Sequence, residues 1–302
     1  MITALVHTFN EEKNIERCLL SLVDWVDEII VVDMGSTDRT VDIAKTLKAK
    51  IFNFHYTGFV EPARNFGIEK ARGQWLVILD ADEEIPRALV TTLKKIVKEN
   101  QADFCRLKRK NIIFNKWIKH AGWWPDYQIR FFKKGFVTWT DKIHGIPLTR
   151  GTGLDIAQSD DQCIIHHNYQ SLEQYLIRMN RYTSIAAKDL YLSDERFSLP
   201  KLMTSISTEF VNRFFLREGY KDGLHGLALA LLQGFSETVV MLKIWELENF
   251  KEERIHLKEM ERSQGKEFRE KQYWLYNEMI KSDHSFVQDI IWRVKRKFYS
   301  YG

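Results

Sequence analysis

Cysteine is scarce in this 302-residue sequence: Cys18, Cys105 and Cys163 lie far apart, are odd in number and never fall in CxxC spacing. That excludes a disulfide framework and a structural zinc site, and makes a reducing cytoplasm the expected compartment. Proline numbers five, and no low-complexity tract or internal repeat occurs, while 44% of residues are hydrophobic. A chain of this kind buries a substantial core, so disorder is not expected for most of it. Long apolar runs are missing too. The opening "MITALVHTFN" has no basic n-region and too short an apolar stretch for a signal peptide or a membrane span. An excess of one charge is also lacking: the formal net charge is +4, so bulk charge does not point to nucleic acid as a partner.

What is there begins with alternation. "ITALVHT", "EIIVVD", "KIFNF" and "WLVILD" are short apolar runs of the kind found in strands buried on both faces. Between them, "NEEKNIERCLLSLV", "STDRTVDIAKTL" and "PARNFGIEKA" carry helical spacing and cap residues, and "PRALVTTLKKIVKEN" follows with Pro86 at a helix start. Strands alternating with helices predict a mostly parallel, Rossmann-like sheet covered on both faces, an α/β fold. Ligands of such sheets bind outside the carboxyl ends of the strands. Residues 1–100 form this nucleotide-binding half. Residues 101–170 read as strands and turns, and 171–302 as a helical region.

The stretch "GQWLVILDADEEIP" sets a physical problem, because a buried strand runs straight into Asp80, Asp82, Glu83 and Glu84. Like charges gathered at one point repel unless something neutralises them. Asp80 and Asp82 are two apart, so on an extended backbone both carboxylates can face one side. Oxygen ligands of this type suit Mg²⁺ or Mn²⁺ bridging a substrate's phosphates. The alternative is an acidic surface loop ahead of the helix at Pro86.

Several segments carry a resemblance. "VHTFNEEKNIERCLLSL", "DEIIVVDMGSTDRTVDIA", "ARNFGIEKARGQWLVILDADE" and "GWWPDYQIRFFKKG" resemble the family 2 glycosyltransferases, nearest to the lipopolysaccharide-core branch of β-1,4-glucosyltransferases. The resemblance implies a GT-A fold, a nucleotide-diphospho-sugar donor such as a UDP-hexose, a divalent metal and inversion at the anomeric carbon. It implies that Thr8, Asn10 and Glu11 contact the nucleoside, that Asp33 holds base or ribose, and that Arg64 faces the diphosphate. Where many members carry a second acidic residue after Asp33, this chain has Met34. Asp80 and Asp82 match the DxD, with Asp82 the direct metal ligand and Asp80 the ribose or water-mediated contact.

Inverting transfer also needs a carboxylate that removes the acceptor's proton. Asp126 in "AGWWPDYQIRFF" lies where the family's catalytic acidic residue is expected, with a turn-forming aspartate as the alternative. Glu83 and Glu84 are the next candidates. Trp123 and Trp124 offer a sugar-stacking face or core packing. His144 in "DKIHGIPL" matches a family histidine near the metal, or is a hydrogen-bonded core histidine; Gly145 replaces a glutamate common in relatives. His166 and His167 end a strand facing opposite sides, and a structural role is favoured for both.

In the C-terminal region, "GLHGLALALLQGFSETVVMLKIWE" reads either as the core helix of a bundle or as an interfacial helix. The basic, aromatic end "WRVKRKFYSYG" suits an anionic membrane surface or a solvated helix end. "FKEERIHLKEMERSQGKEFREK" reads as a solvated face or a contact in a homo-oligomer. The expected protein is an enzyme peripheral to the cytoplasmic face of the inner membrane. It transfers a hexose, glucose foremost, to a saccharide or lipid-linked acceptor of lipopolysaccharide or another envelope glycan. Two other functions are weighed against this. A sugar-phosphate nucleotidyltransferase needs a Gly-rich loop after its first strand, and "VHTFNEEKN" has no glycine. A non-catalytic sugar-binding or membrane scaffold would not need Arg64, Asp80, Asp82 and Asp126 together.

Overall fold

The computed structural model describes residues 1–302 except 56–59, 141–146, 157–158, 283 and 301–302. These residues divide into two compact units. One comprises 1–112 with 125–168, the other 113–124 with 169–302. The segment 113–124, within the stretch read as acceptor half, thus lies with the helical region.

The first unit is built on strands β1 (Ile2–Thr8), β2 (Glu28–Asp33), β3 (Lys50–Asn53), β4 (Trp75–Asp80), β5 (Glu83–Glu84) and β6 (Phe104–Ile113). β7 (Lys116–Trp117) falls in the segment assigned to the second unit. Then come β8 (Asp126–Lys133), β9 (Val137–Thr138), β10 (Leu148–Thr149), β11 (Gly153–Ile156) and β12 (Ile164–Tyr169). The main sheet runs β3-β2-β1-β4-β8-β6-β12-β5. Its first four strands are parallel, as their alternation with helices predicts, and β8 then joins β4 and β6 antiparallel.

β1 is buried along its whole length, and its side chains alternate between two cores. Ile2, Ala4 and Val6 pack with Ile15, Cys18 and Leu19 of α1 (Ile15–Leu20), Ala44 of α2 (Thr40–Thr46), and Leu89, Leu93 and Ile96 of α4 (Arg87–Glu99). Leu5 turns the other way, toward Ala63, Phe66 and Ile68 of α3 (Glu61–Lys70). This two-faced burial is why the strands read as continuous apolar runs.

At the amino-terminal edge of the sheet a polar knot is fully satisfied. Thr3 Oγ1 donates to Glu28 Oε2 at 2.8 Å and accepts from the Gly73 amide at 2.8 Å. Lys50 Nζ and the Arg72 amide also bind Glu28, at 2.7 and 3.0 Å. Burial pushes the Glu28 pKa up, but the Lys50 ammonium and these donors outweigh it and hold the carboxyl below its ordinary value. Gly73 is required by close approach, since a Cβ there would sit 2.6 Å from the Thr3 nitrogen.

The second unit holds α5 (Leu172–Leu192), α6 (Leu199–Phe210), α7 (Leu224–Leu247), α8 (Leu257–Lys281) and α9 (Phe286–Phe298). Buried Asp222 collects the Lys119 and His120 amides on its carboxylate, at 3.1 and 2.8 Å. Among the described residues α7 alone is long and apolar enough to cross a membrane by length and composition. It is packed against α5 and α6. Lys243 Nζ reaches Asn180, Thr183 and Ser184, Gln233 donates to the Tyr175 hydroxyl at 2.6 Å, and a Cβ at Gly234 would meet Ile206 O at 2.9 Å.

Gly73→Ala should force Thr3 aside and open the Glu28 knot. Denaturant unfolding at neutral pH is expected to show a loss of about 1–3 kcal/mol; unchanged stability would mean that the edge accommodates the methyl group.

Candidate active site at the carboxyl ends of the strands

Register places the strand ends side by side. His7 lies opposite Asp80, Thr8 opposite Asp33, and Asp33 opposite Asn53. At this edge Thr8, Asn10, Glu11 and Asp33 form one loop cluster. Thr8 and Asp33 are buried. The Asp33 carboxylate accepts from the Gly35 and Ser36 amides at 3.2 Å. Asn10, at φ 55°, accepts from the Thr37 amide at 2.8 Å, while its own amide donates to Ser36 Oγ. The Glu11 amide donates to Thr40 Oγ1 at 2.8 Å, and Glu11 Oε2 accepts from Asn14. These side chains lock the loop after β1 to the loop after β2. His7 sits beneath them and donates through Nε2 to Ala63 O, and burial depresses its pKa to about 3, so the ring is neutral.

The acidic residues after β4 are neutralised by arginines. Arg130 Nη2 lies 2.5 Å from Asp80 Oδ2 and 2.8 Å from Glu83 Oε1, and only 1% of its side chain is exposed. Arg64, on α3, reaches Asp80 Oδ1 at 2.9 Å. Arg109 reaches Glu83 Oε1 at 3.2 Å and Asp126 Oδ2 at 2.7 Å. Burial pushes the Asp80 carboxyl up, but the Arg130 and Arg64 guanidiniums overwhelm that and hold it well below the usual carboxylate range. Burial likewise lowers the pKa of Arg130, yet the flanking Asp80 and Glu83 carboxylates push it far above its ordinary value. Glu83 has no side-chain exposure and also accepts from the Asp80 amide, so it cannot reach an acceptor; Glu84 faces Arg17 and His167 instead.

Asp126 opens β8, opposite Arg109 of β6. Its Oδ2 accepts from Arg109 Nε at 2.8 Å and Asn111 Nδ2 at 3.1 Å, and its Oδ1 from Gln128 at 2.8 Å. Burial raises its pKa, but Arg109, Gln128 and Asn111 together bring it below the ordinary value. The group is therefore an ionised carboxylate at neutral pH. Trp123 and Trp124 belong to the second unit, where they pack edge-on against Tyr169 and Trp117.

Asn111 connects Asp126 to a histidine. Its Nδ2 donates to Asp126, so its Oδ1 faces His166 Nδ1 at 2.6 Å. The reverse amide orientation would set two acceptors against each other. His166 therefore carries its proton on Nδ1, and its other nitrogen, Nε2, lies 3.6 Å from Asp82 Oδ1. A histidine held through one nitrogen with the other turned to a carboxylate is the arrangement that metal sites use.

Among the described residues, no three His, Cys, Asp or Glu side chains are grouped to hold a metal ion. Asp82 and His166 make two, and a diphosphate would have to supply the rest, as is usual for Mg²⁺. The residues present fit that arrangement. Asp80 spends its carboxylate on Arg64 and Arg130, and Asp82 lies beside His166. His144 lies outside the described residues.

Three functional candidates are not evident from the sequence, Arg109, Asn111 and Arg130, and His166 reads there as structural. One signal was available for the start of β8, because Asp126 and Gln128 are spaced by two and so share a face; Arg130 falls at an irregularity in the pairing with β6.

The sequence matches the family model for glycosyl transferase family 2 over residues 3–152. An uncharacterized glycosyltransferase of Rickettsia typhi is 28% identical over 260 residues, which cover 82% of this chain and 87% of the relative. The glycosyltransferase SunS of Bacillus subtilis is 27% identical over 210 residues, covering 66% of this chain and 45% of its own. Among solved structures, residues 1–349 of S. aureus TarS superpose with a TM-score of 0.43 at 16% identity, covering 84% of this chain and 93% of that one.

Arg130→Met should leave Asp80 and Glu83 facing each other without their shared cation. Breaking a buried pair in this way costs about 3–5 kcal/mol. Asp80, whose folded pKa is depressed, contributes stability that is present above its unfolded value of about 3.9 and lost as pH falls below it. The stability gap between wild type and variant, measured by denaturant unfolding, should therefore narrow on acidification below about pH 4. A small gap, or one that does not change with pH, would show that Arg130 is not the stabilising partner.

Proposed function

The chain belongs to the family 2 glycosyltransferases, and we propose that it moves a hexose, glucose foremost, from a UDP-sugar to a saccharide or lipid-linked acceptor in bacterial lipopolysaccharide or envelope glycan synthesis, with inversion and with Mn²⁺ or Mg²⁺. The observation that carries this reading is the division of labour among the clustered carboxylates. Asp80 and Glu83 are committed to arginines, Asp82 stands beside the Nε2 of His166, and Asp126 is ionised. Choice of glucose and of a lipopolysaccharide acceptor rests on the likeness of the four motif segments to the heptose-directed branch.

In the reaction, an acceptor hydroxyl oxygen attacks the anomeric carbon as the bond to the nucleoside diphosphate breaks. The hydroxyl proton passes to Asp126. Of the two oxygens, Oδ1 is the better placed to take it, having one hydrogen bond from Gln128, whereas Oδ2 is held by both Arg109 and Asn111. Those three donors keep the carboxylate charged and fix its direction before the acceptor arrives. A divalent ion held by Asp82 and His166 would offset the charge that develops on the departing diphosphate. Arg64, pinned to Asp80 and lying over the Trp139 ring, is positioned to add positive potential on the same side.

Two variants should fail in different ways. Asp82→Ala is expected to abolish metal-dependent binding of UDP, read by calorimetry, with the fold intact. Asp126→Asn is expected to keep UDP and metal affinity while kcat falls by about 10²–10⁴-fold. Undiminished metal-dependent binding in the first variant would remove Asp82 from the metal site. Near wild-type turnover in the second would remove Asp126 as the base.

A further inference from the structure

Helix α9 begins at a capping box: Gln288 donates its amide to Ser285 Oγ and accepts from the Ser285 amide. Its amphipathicity is inverted. The side turned toward α8 is the polar one, where Asp289, Trp292 and Arg296 are half-buried together with Tyr299 just beyond the helix. Arg296 donates to Asn277 at 3.0 Å, Tyr299 stacks on Tyr276 with ring centroids 6.0 Å apart, and Trp292 packs against His284. The apolar side faces outward. Phe286, Val287, Ile290, Ile291, Val294 and Phe298 are 45–80% exposed, and no residue of the helix is buried. At 3.6 residues per turn these six side chains fall within an arc of roughly 140°. Lys297 falls inside that arc, between Phe286 and Ile290, while Arg293 borders it on that side and Lys295 on the other.

A core helix does the reverse and turns its apolar stripe inward. A contiguous exposed stripe of this kind needs an occupant, and none of the described residues covers it. Charge identifies one. Helix α9 carries Arg293, Lys295, Arg296 and Lys297 against a single carboxylate, Asp289, which is already paired with Arg293 at 2.5 Å. An apolar face edged by basic side chains matches a bilayer whose headgroups are anionic, with the chains of Lys295 and Lys297 extending up to the phosphates. A second copy of this helix fits less well, because self-complementary pairing would bring the basic borders of the two stripes together.

We propose that α9 is an interfacial helix by which this protein docks on an anionic lipid surface, its stripe from Phe286 to Phe298 inserted and its basic borders at the headgroups. The sequence offers both α7 and the basic, aromatic end for such a role; α7 is held between α5 and α6, whereas α9, which carries most of that end, contributes nothing buried to the bundle. The inference stands independently of the transferase reading.

Flotation of the full chain tests it, with vesicles of phosphatidylcholine alone and with vesicles of phosphatidylcholine and phosphatidylglycerol in equal parts. The wild-type chain should float with the mixed vesicles, weakly with the neutral ones, and less well at high salt. Phe286→Ser/Val294→Ser/Phe298→Ser should weaken partitioning by about tenfold or more with the thermal transition unchanged, because these side chains are exposed. Lys295→Gln/Lys297→Gln, which leaves the stripe intact, should lose the preference for anionic vesicles. The proposal is overturned if the wild-type chain stays at the bottom with mixed vesicles, or if the serine variant floats as well as wild type. It is equally overturned if the wild-type chain without lipid is a dimer that the serine variant dissociates, since the stripe would then belong to a second copy.

Discussion

The Arg130 guanidinium, closed off from water between the carboxylates of Asp80 and Glu83, sets the geometry of everything around it. Three acidic side chains within four positions after a buried strand would repel one another and pull the turn open. One planar cation with several donors can satisfy two of them at once, which a lysine's compact ammonium does less well. Ion pairs buried this deeply seldom add much net stability over apolar packing, because desolvation offsets most of the attraction. What this pair adds is direction. Asp80 is tied from two sides, by Arg64 on α3 and Arg130 on β8, and the parallel and antiparallel parts of the sheet are joined at their charged end.

The same fixing passes outward through hydrogen bonds. Arg109 takes the second position on Glu83 and extends to Asp126; Asn111 links Asp126 to His166; His166 faces Asp82. The chain closes on the acidic turn where it began. Each step constrains a proton. Asp126 is kept charged, and the His166 ring is kept in one tautomer, so the two groups suited to act on a substrate are prepared by neighbours that need not touch it. The antiparallel strands make this possible. Residues 126, 128 and 130 of β8 and residues 109 and 111 of β6 place polar side chains side by side at the carboxyl end of β4.

The parallel half of this arrangement is legible in the sequence because it is coded locally. An apolar run ending in an acid, followed by a cap and an amphipathic helix, states where the chain turns and which edge collects polar groups. Asp80 and Asp82 announce themselves by spacing. What answers them does not, since Arg130 is fifty residues from Asp80 and in isolation a charged residue alternating along a strand reads as a solvated face. Burial of a guanidinium is a property of the pairing between β8 and β4, which no local pattern records. His166 was obscured for the same reason. Its position at a strand end was clear, but its meaning depends on Asn111 across the sheet and Asp82 in a turn far away in sequence. The break at 113–124 was hidden as well, because those residues sit inside a run of strand-like segments yet pack with the helices.

Helices α7 and α9 show how composition and placement diverge. Composition marks α7 as a membrane-facing candidate because nearly its whole circumference is apolar. Packing covers part of that circumference: Leu229 is buried among Ile113, Ile118 and Tyr175, and Val240, Met241 and Ile244 pack around Ala187. Composition marks the basic, aromatic end of helix α9 as well, but not which of its sides faces out. Its stripe becomes visible only once the inner side is known, and Arg296, Trp292 and Tyr299 define that side by their contacts with α8 and the turn before α9. A polar face turned inward fixes the apolar face outward. Hydropathy measures what a segment could bury, and the neighbours decide which part of it remains to be buried elsewhere.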